Sequence, residues 1–179
     1  MRMIRIRASR PEDGVVLRDI ERSAGEAFRA IGMESVASEE PRSEVVLAAY
    51  AMAGRSWVAV EDTDRPVGYI LLDEIDGNAH VAQVSVLPES QGQGVGRALL
   101  EQVRIWAVAA NVPAISLTTF RDVPWNRPLY EHLGFVVLPE ERVGPGLRAV
   151  MTHESDGGPR AAARVCMRVD TSVRMIVEG

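Results

Sequence analysis

The chain of 179 residues contains no lysine, and all 20 of its basic residues are arginine. That absence excludes a Walker-type nucleotide loop, which needs Gly-Lys-Ser/Thr, and closes Schiff-base and pyridoxal mechanisms that need a lysine amine. Cysteine is almost missing as well. Cys166 stands alone, so no internal disulfide can form, and its place between Val165 and Met167 in a strand-like run points to core packing rather than nucleophilic chemistry. No apolar run approaches the length of a membrane span, and Met1 to Arg7 alternates charge with apolar residues where a signal peptide would carry an apolar block. A cytoplasmic protein with no membrane partner is expected. The net charge of −5 argues against nucleic acid, which needs a basic face. No His, Cys, Asp or Glu set has convincing metal-ligand spacing, so no metal is expected. Internal repeats and low-complexity segments are also absent.

What is present suits one globular α/β domain. A hydrophobic content of 46% is enough for a full core at this length. A first strand is expected over Met3–Arg7, a helix from Pro11 to about Ala30 broken by Gly32, and a second helix over Ser43–Ala53 closed by Gly54. Strands Ser56–Glu61 and Val67–Ile75 follow, joined by the turn Asp62–Pro66, and Asp76-Gly77-Asn78 is a hairpin signal leading into His80–Val86. A long helix comes next. Val95, Leu99, Val103, Trp106 and Ala110 recur at steps of three and four, with Arg97, Glu101 and Arg104 mainly on other faces. Ala114–Thr119 and Phe135–Leu138 read as strands, Leu147–His153 as a short helix and Arg164–Val169 as the last strand. Residues 1–169 would form the domain. Residues 170–179 would extend past the core without an assigned role.

Between the strand ending at Val86 and the long helix lies Gln91-Gly92-Gln93-Gly94-Val95-Gly96-Arg97. The unpaired amides of a helix's first turn and the positive end of its dipole make an anion site, and glycine lets a phosphate approach the backbone. A dinucleotide fingerprint would need Gly or Ala at the sixth position from Gly92, which is Arg97. An ordinary glycine-rich connection remains the plain alternative.

The form Gln-x-x-Gly-x-Gly after Val86-Leu87-Pro88 resembles the acyl-CoA signature of the GCN5-related N-acetyltransferase (GNAT) superfamily. Asn126-Arg127-Pro128-Leu129-Tyr130-Glu131-His132-Leu133-Gly134-Phe135 is similar to the second half of that family's cofactor site. Locally, Asn126 suits an N-cap, Pro128 the first turn and Gly134 a left-handed helix end. The resemblance implies a single-domain GNAT fold with a mixed, mostly antiparallel central sheet flanked by helices and splayed between strands 4 and 5. It further implies acetyl-CoA as cosubstrate, with Gln91, Gly92, Gln93, Gly94, Val95, Gly96 and Arg97 at the pyrophosphate and the backbone of Val84, Ser85 and Val86 along the pantetheine arm. Asn126 joins them as a cofactor-binding candidate. It stands four residues before Tyr130, where relatives often have seven, and the cap is its alternative role.

Transfer of an acetyl group to an amine needs a base, because an amine of pKa near 10.4 is almost wholly protonated at pH 7, and an acid for the departing sulfur. The resemblance gives Tyr130 the acid role; packing on the sheet is the alternative. Many relatives carry a glutamate where this chain has Gln83, which cannot take a proton. His80, the one titratable side chain on that strand, resembles a strand histidine of arylalkylamine-type members; a hairpin histidine without a catalytic role, or deprotonation through water, are the other readings. Thr118, Thr119 and Trp125 either line the channel or pack. Glu34, Glu39, Glu40 and Glu44 could attract a cationic amine or form a solvated acidic face. The expected partner is a small-molecule amine or a peptide acceptor, and a homodimer is compatible with the sequence. A catalytically silent acetyl-CoA sensor is the competing function.

Overall fold

The computed structural model describes residues 3–156 and 163–175. The chain forms two compact units. One comprises the residues up to Leu72 together with Ala82–Gln102, and the other Asp73–Val81 together with residues from Val103 onward.

In the first unit, β1 (Arg5–Ala8) pairs antiparallel with β2 (Ser56–Val60), from Arg5 opposite Val60 to Ala8 opposite Trp57. The strand starts later than the Met3 expected and ends at Ala8, held by Arg7, whose guanidinium bonds Asp13 at 2.8 and 3.1 Å and Asp64 at 3.0 Å. β2 in turn pairs antiparallel with β3 (Pro66–Ile75). Both are continuous apolar runs, and Val58, Ala59, Val60, Tyr69, Ile70, Leu71 and Leu72 have no exposed surface; such runs mark strands covered on both faces. α1 (Gly14–Arg29) follows a 3-10 turn at Pro11–Asp13 and buries Leu17 and Ile20, three apart on one face. A single turn, α2 (Glu34–Ala37), was not expected from the sequence. α3 (Glu44–Met52) starts one residue later than expected because Ser43 caps it: the Ser43 hydroxyl accepts the Val46 N–H at 3.4 Å.

β4 (Asn78–Val86) and α4 (Val95–Ala109) each run from one unit into the other. α4 buries Val95, Leu99, Leu100, Val103 and Ala107; Trp106 is partly exposed and Ala110, beyond the helix end, is exposed, so the apolar stripe drifts from the one expected. The sheet has the order β1-β2-β3-β4-β5-β7-β6, where β5 is Ala114–Phe120, β6 Val136–Val137 and β7 Arg164–Asp170. The pairing of β4 with β5 is parallel and covers two residue pairs, Ala79 with Ile115 and His80 with Ser116.

In the second unit, β7 lies between β5 and β6, antiparallel to both. α6 (Pro145–Asp156) is longer at both ends than the Leu147–His153 segment expected. Its start is set by Asp76 in the β3–β4 hairpin, whose carboxylate accepts the N–H groups of Gly146 at 2.9 Å and Leu147 at 3.0 Å. Among the described residues after β7, 171–175, part of the chain is buried. Thr171 and Met175 are buried, and the Thr171 hydroxyl donates to the carbonyls of Val112 at 3.1 Å and Pro113 at 3.0 Å. Gly157-Gly158-Pro159 and residues 176–179 lie outside the described residues.

Candidate active site

The glycine loop belongs to the first unit. Gly92 and Gly94 have φ of +72° and +79°, a region that disfavours any side chain, and a Cβ added at Gly92 would meet nothing within 4 Å. The loop is therefore open above its backbone. Ala98 makes an α4 bond to the Gly94 carbonyl at 2.9 Å, so the N–H groups of Val95 and Gly96, earlier in the first turn, have no helical carbonyl to reach. Side chains of the loop turn away to brace it: Gln93 Nε2 donates to the Glu89 carbonyl at 2.9 Å and Gln91 Nε2 to the Val86 carbonyl at 3.2 Å. Gln91 thus ties the loop to the end of β4.

Leu87 donates its N–H to the Val67 carbonyl at 2.8 Å. In an antiparallel ladder each residue turns both backbone groups to one neighbour and the next residue turns them to the other side. Val86, the neighbour of Leu87, therefore turns its carbonyl away from β3, to the opposite edge. On that edge, side chains occupy two carbonyls: Gln91 takes Val86 and Arg42 Nη2 takes Ala82 at 3.4 Å. Of the three residues expected along the pantetheine arm, Val86 presents its carbonyl at this edge, to Gln91, and Ser85 presents its side chain to a polar cluster.

That cluster was missed in the sequence. The fully buried Tyr69 of β3 donates its hydroxyl to Glu21 of α1 at 2.5 Å. Gln83 Nε2 donates to the Ser85 hydroxyl at 2.9 Å, and Arg42 Nη1 to Gln83 Oε1 at 3.4 Å. Burial and the Glu21 carboxylate drive the Tyr69 pKa far above its ordinary value, so the phenol stays a donor. A tyrosine inside an apolar strand signals a buried hydroxyl that needs a partner, but nothing local names Glu21.

Tyr130 lies in the second unit, in α5 (Asn126–His132). The helix ends as the Gly-Phe signal implied: Gly134 has φ +92°, its N–H bonds the Glu131 carbonyl at 3.0 Å, and the Phe135 N–H bonds the Tyr130 carbonyl at 3.0 Å. This double bond pattern brings the residue after the glycine onto the last turn. Accordingly the Phe135 and Tyr130 rings meet edge to face, 5.8 Å apart at 69°. The Tyr130 hydroxyl has no hydrogen-bond partner among the described residues, and desolvation pushes its pKa up to about 12. It is a protonated, unengaged donor at neutral pH. Asn126 does not cap this helix. Trp125 holds the cap position with no side-chain bond, and Asn126 is the first helical residue, its N–H on the Val123 carbonyl at 3.2 Å; the turn at Val123 already supplies the entry geometry that the asparagine was expected to supply.

His80, also in the second unit, is 3% exposed, with Nδ1 3.1 Å from the Ser116 hydroxyl. Burial lowers its pKa against the opposing pull of Glu154, Asp73 and Asp76, so the ring is neutral at pH 7. Thr118 donates to Glu154 at 2.7 Å and Thr119 is buried, whereas Trp125 is well exposed. Arg164, 3.5 Å from Glu154, also lies over the Phe120 ring, 4.1 Å from its centroid. Of the acidic residues between the first helices, Glu40 pairs with Arg18 at 3.2 Å and Arg22 at 3.4 Å, Glu44 lies 4.0 Å from Arg18, and Glu34 pairs with Arg29. They form a neutralised, solvated face. Among the described residues no group of His, Cys, Asp and Glu could hold a metal, and no helix is long and apolar enough to cross a membrane.

A glycine loop opening a helix, in a mixed and mostly antiparallel sheet flanked by helices, defines an α/β protein whose loop has the free first-turn amides that suit an anion. Residues 17–135 match the model of the acetyltransferase (GNAT) family, and the chain belongs to that family as a GNAT-type N-acetyltransferase. It is 33% identical over 141 residues, 79% of this chain and 89% of the relative, to the peptidyl-lysine N-acetyltransferase YjaB of Salmonella typhimurium. Among solved structures it is similar to the PaiA N-acetyltransferase of Thermoplasma acidophilum in complex with coenzyme A (TM-score 0.74, 18% identity, 94% of this chain and 99% of that one). A GNAT acetyltransferase of Brucella melitensis in complex with acetyl-CoA is also similar (TM-score 0.54, 25% identity, 75% and 83%). The GNAT fold expected from the two motifs is the fold observed.

Proposed function

We propose that this chain is an acetyl-CoA-dependent N-acetyltransferase that acetylates a primary amine, of a small molecule or a peptide, by direct attack of the amine on the thioester. The observation that carries the reading is the open loop Gln91–Arg97, joined by Gln91 to the end of β4, beyond the two residues, Ala79 and His80, at which that strand pairs with β5. Support comes from the relative named for peptidyl-lysine and from neighbours crystallised with coenzyme A or acetyl-CoA.

Bound acetyl-CoA supplies an acetyl group activated as a thioester. The amides at Gly94, Val95 and Gly96 hold the diphosphate, and the edge from Val86 back to Ala82 aligns the arm over about 13 Å at roughly 3.3 Å per residue. Tyr130 keeps a proton at its phenol oxygen and gives it to the leaving sulfur. His80, neutral at pH 7, can accept the amine's proton; with 3% exposure it does so through water. Asn126, which does not cap α5, stays a cofactor-side candidate. A cytoplasmic setting belongs to the same reading.

The test is incubation with acetyl-CoA and a panel of amines, including a peptide with one free lysine and one with a free N-terminus, with products read by mass. A 42 Da gain on at least one amine is expected from the chemistry of acetylation. Tight acetyl-CoA binding with no acetylated product on any amine would support the silent sensor, which the missing strand carboxylate at Gln83 favours.

A further inference from the structure

The pyrophosphate loop meets the β4 edge at Val86, and Arg42 meets it at Ala82. If the diphosphate lies at the first end, the acyl end of the donor lies toward the second. Next to Arg42, through Gln83 and Ser85, stands the Glu21–Tyr69 pair, all within the first unit.

Glu21 differs from most of the acidic residues around it. Asp19, Glu26, Glu34, Glu40 and Glu44 each lie within ion-pair distance of an arginine. Glu21 is partly buried, and among the described residues its carboxylate has one hydrogen-bond partner, Tyr69, and no ion pair. A carboxylate has room for about four hydrogen bonds. Tyr69 is anchored by total burial, so the carboxylate is held by a rigid donor while most of its acceptor sites stay unused. Of the charged groups near the pair, Arg42 is engaged by the Gln83 side chain and the Ala82 carbonyl, and Arg18 and Arg22 of α1 turn to Glu40. A half-buried anion, oriented but not neutralised, fits a cation that arrives from solution.

We propose that Glu21, held in place by Tyr69, binds a positively charged group of the acceptor and makes this enzyme selective for cationic amines. The inference deepens the acetyltransferase reading, because it names the chemical class of the acceptor. It also explains the Gln83 departure in part: an acidic side chain faces this cluster from α1 although the strand position has none. Glu21 contributes binding and orientation; Tyr69 is a positioning residue.

The experiment uses two probes that cannot be acetylated like an amine, n-butylguanidinium and its neutral counterpart n-butylurea, titrated into the coenzyme A-loaded full chain and followed by NMR. Wild type should prefer the cation by about tenfold or more, the range of a hydrogen bond to a charged group. Glu21→Gln should reduce that preference to within about twofold while acetyl-CoA affinity and Tm stay unchanged. Tyr69→Phe, which frees the carboxylate without removing it, should reduce the preference by an intermediate factor, and Glu21→Asp should restore part of it. With a turned-over amine, Glu21→Gln should raise its KM about tenfold or more and leave kcat within about threefold. Equal binding of the two probes by wild type, or a preference that survives Glu21→Gln, overturns the assignment. A Glu21-dependent preference in a protein that acetylates no amine would keep this cation site and remove the acetyltransferase reading.

Discussion

Replacing Tyr130 by phenylalanine separates the two roles this residue could have. The substitution removes one oxygen and leaves the ring, so the edge-to-face contact with Phe135 at 5.8 Å survives, as does the backbone pattern closing α5. The hydroxyl bonds nothing among the described residues, and deleting an unpaired, desolvated polar group costs little: stability should change by less than about 0.5 kcal/mol. Catalysis should change far more. A positioned general acid contributes roughly 10²- to 10⁴-fold, and a pKa near 12 keeps the phenol protonated across the working range. Part of that loss is recovered if water reaches the sulfur, so turnover should fall by about ten- to a thousandfold, with acetyl-CoA affinity nearly intact. Amine-dependent release of coenzyme A thiol gives kcat, and calorimetry gives the affinity. Unchanged kcat would remove Tyr130 from the mechanism, and a large drop in Tm would show that the hydroxyl is structural.

Gly94→Ala should weaken acetyl-CoA binding at least tenfold in calorimetric titration and cost about 1–2 kcal/mol of stability, because φ is +79° there while the added Cβ meets only Arg97 Nη2 at 4.0 Å. Normal acetyl-CoA binding by that variant would refute the pyrophosphate assignment. Asp13 is desolvated, yet its bonds from Arg7 and Arg10 hold its pKa below the usual carboxylate value. Its contribution is therefore present above the unfolded pKa near 3.9 and lost as pH falls through the lower folded value; Asp13→Asn should flatten the acid limb of a urea-stability profile, and a limb identical to wild type would contradict this. Asp76→Ala should cost about 1–2 kcal/mol in urea unfolding, as for loss of a helix cap, since it strips two amides of α6 of their acceptor. A cost near zero would mean that water satisfies both.

The parts of this molecule that local rules govern could be read from the chain. The Gly54 end of the second helix, the Gly134-Phe135 ending of α5, the hairpin at Asp76-Gly77 and the alternate glycines of the loop are each decided within a few residues. The misses came from contacts between distant residues. α6 starts where Asp76 caps it, 70 residues away, and Glu21 meets Tyr69 across 48 residues. Asn126 shows the other failure, a good capping residue displaced by one position because the turn at Val123 had already fixed the helix entry. Residues 170–175 read as a tail since they carry no strong pattern, yet Thr171 supplies two hydrogen bonds and Met175 is buried. The glycine loop Gln91–Arg97 and the short helix carrying Tyr130 were therefore legible as local structure, whereas the cluster around Glu21 needed the fold.

In the proposed reaction the glycine loop holds an acyl-CoA whose acetyl group passes to an amine. It is tested most directly by following coenzyme A thiol and acetylated amine together in one reaction with purified protein. Thiol release that depends on the amine and matches the acetylated product one for one is expected. Acetyl-CoA bound tightly, with thiol release no greater with amine than without it for every amine tried, would contradict it.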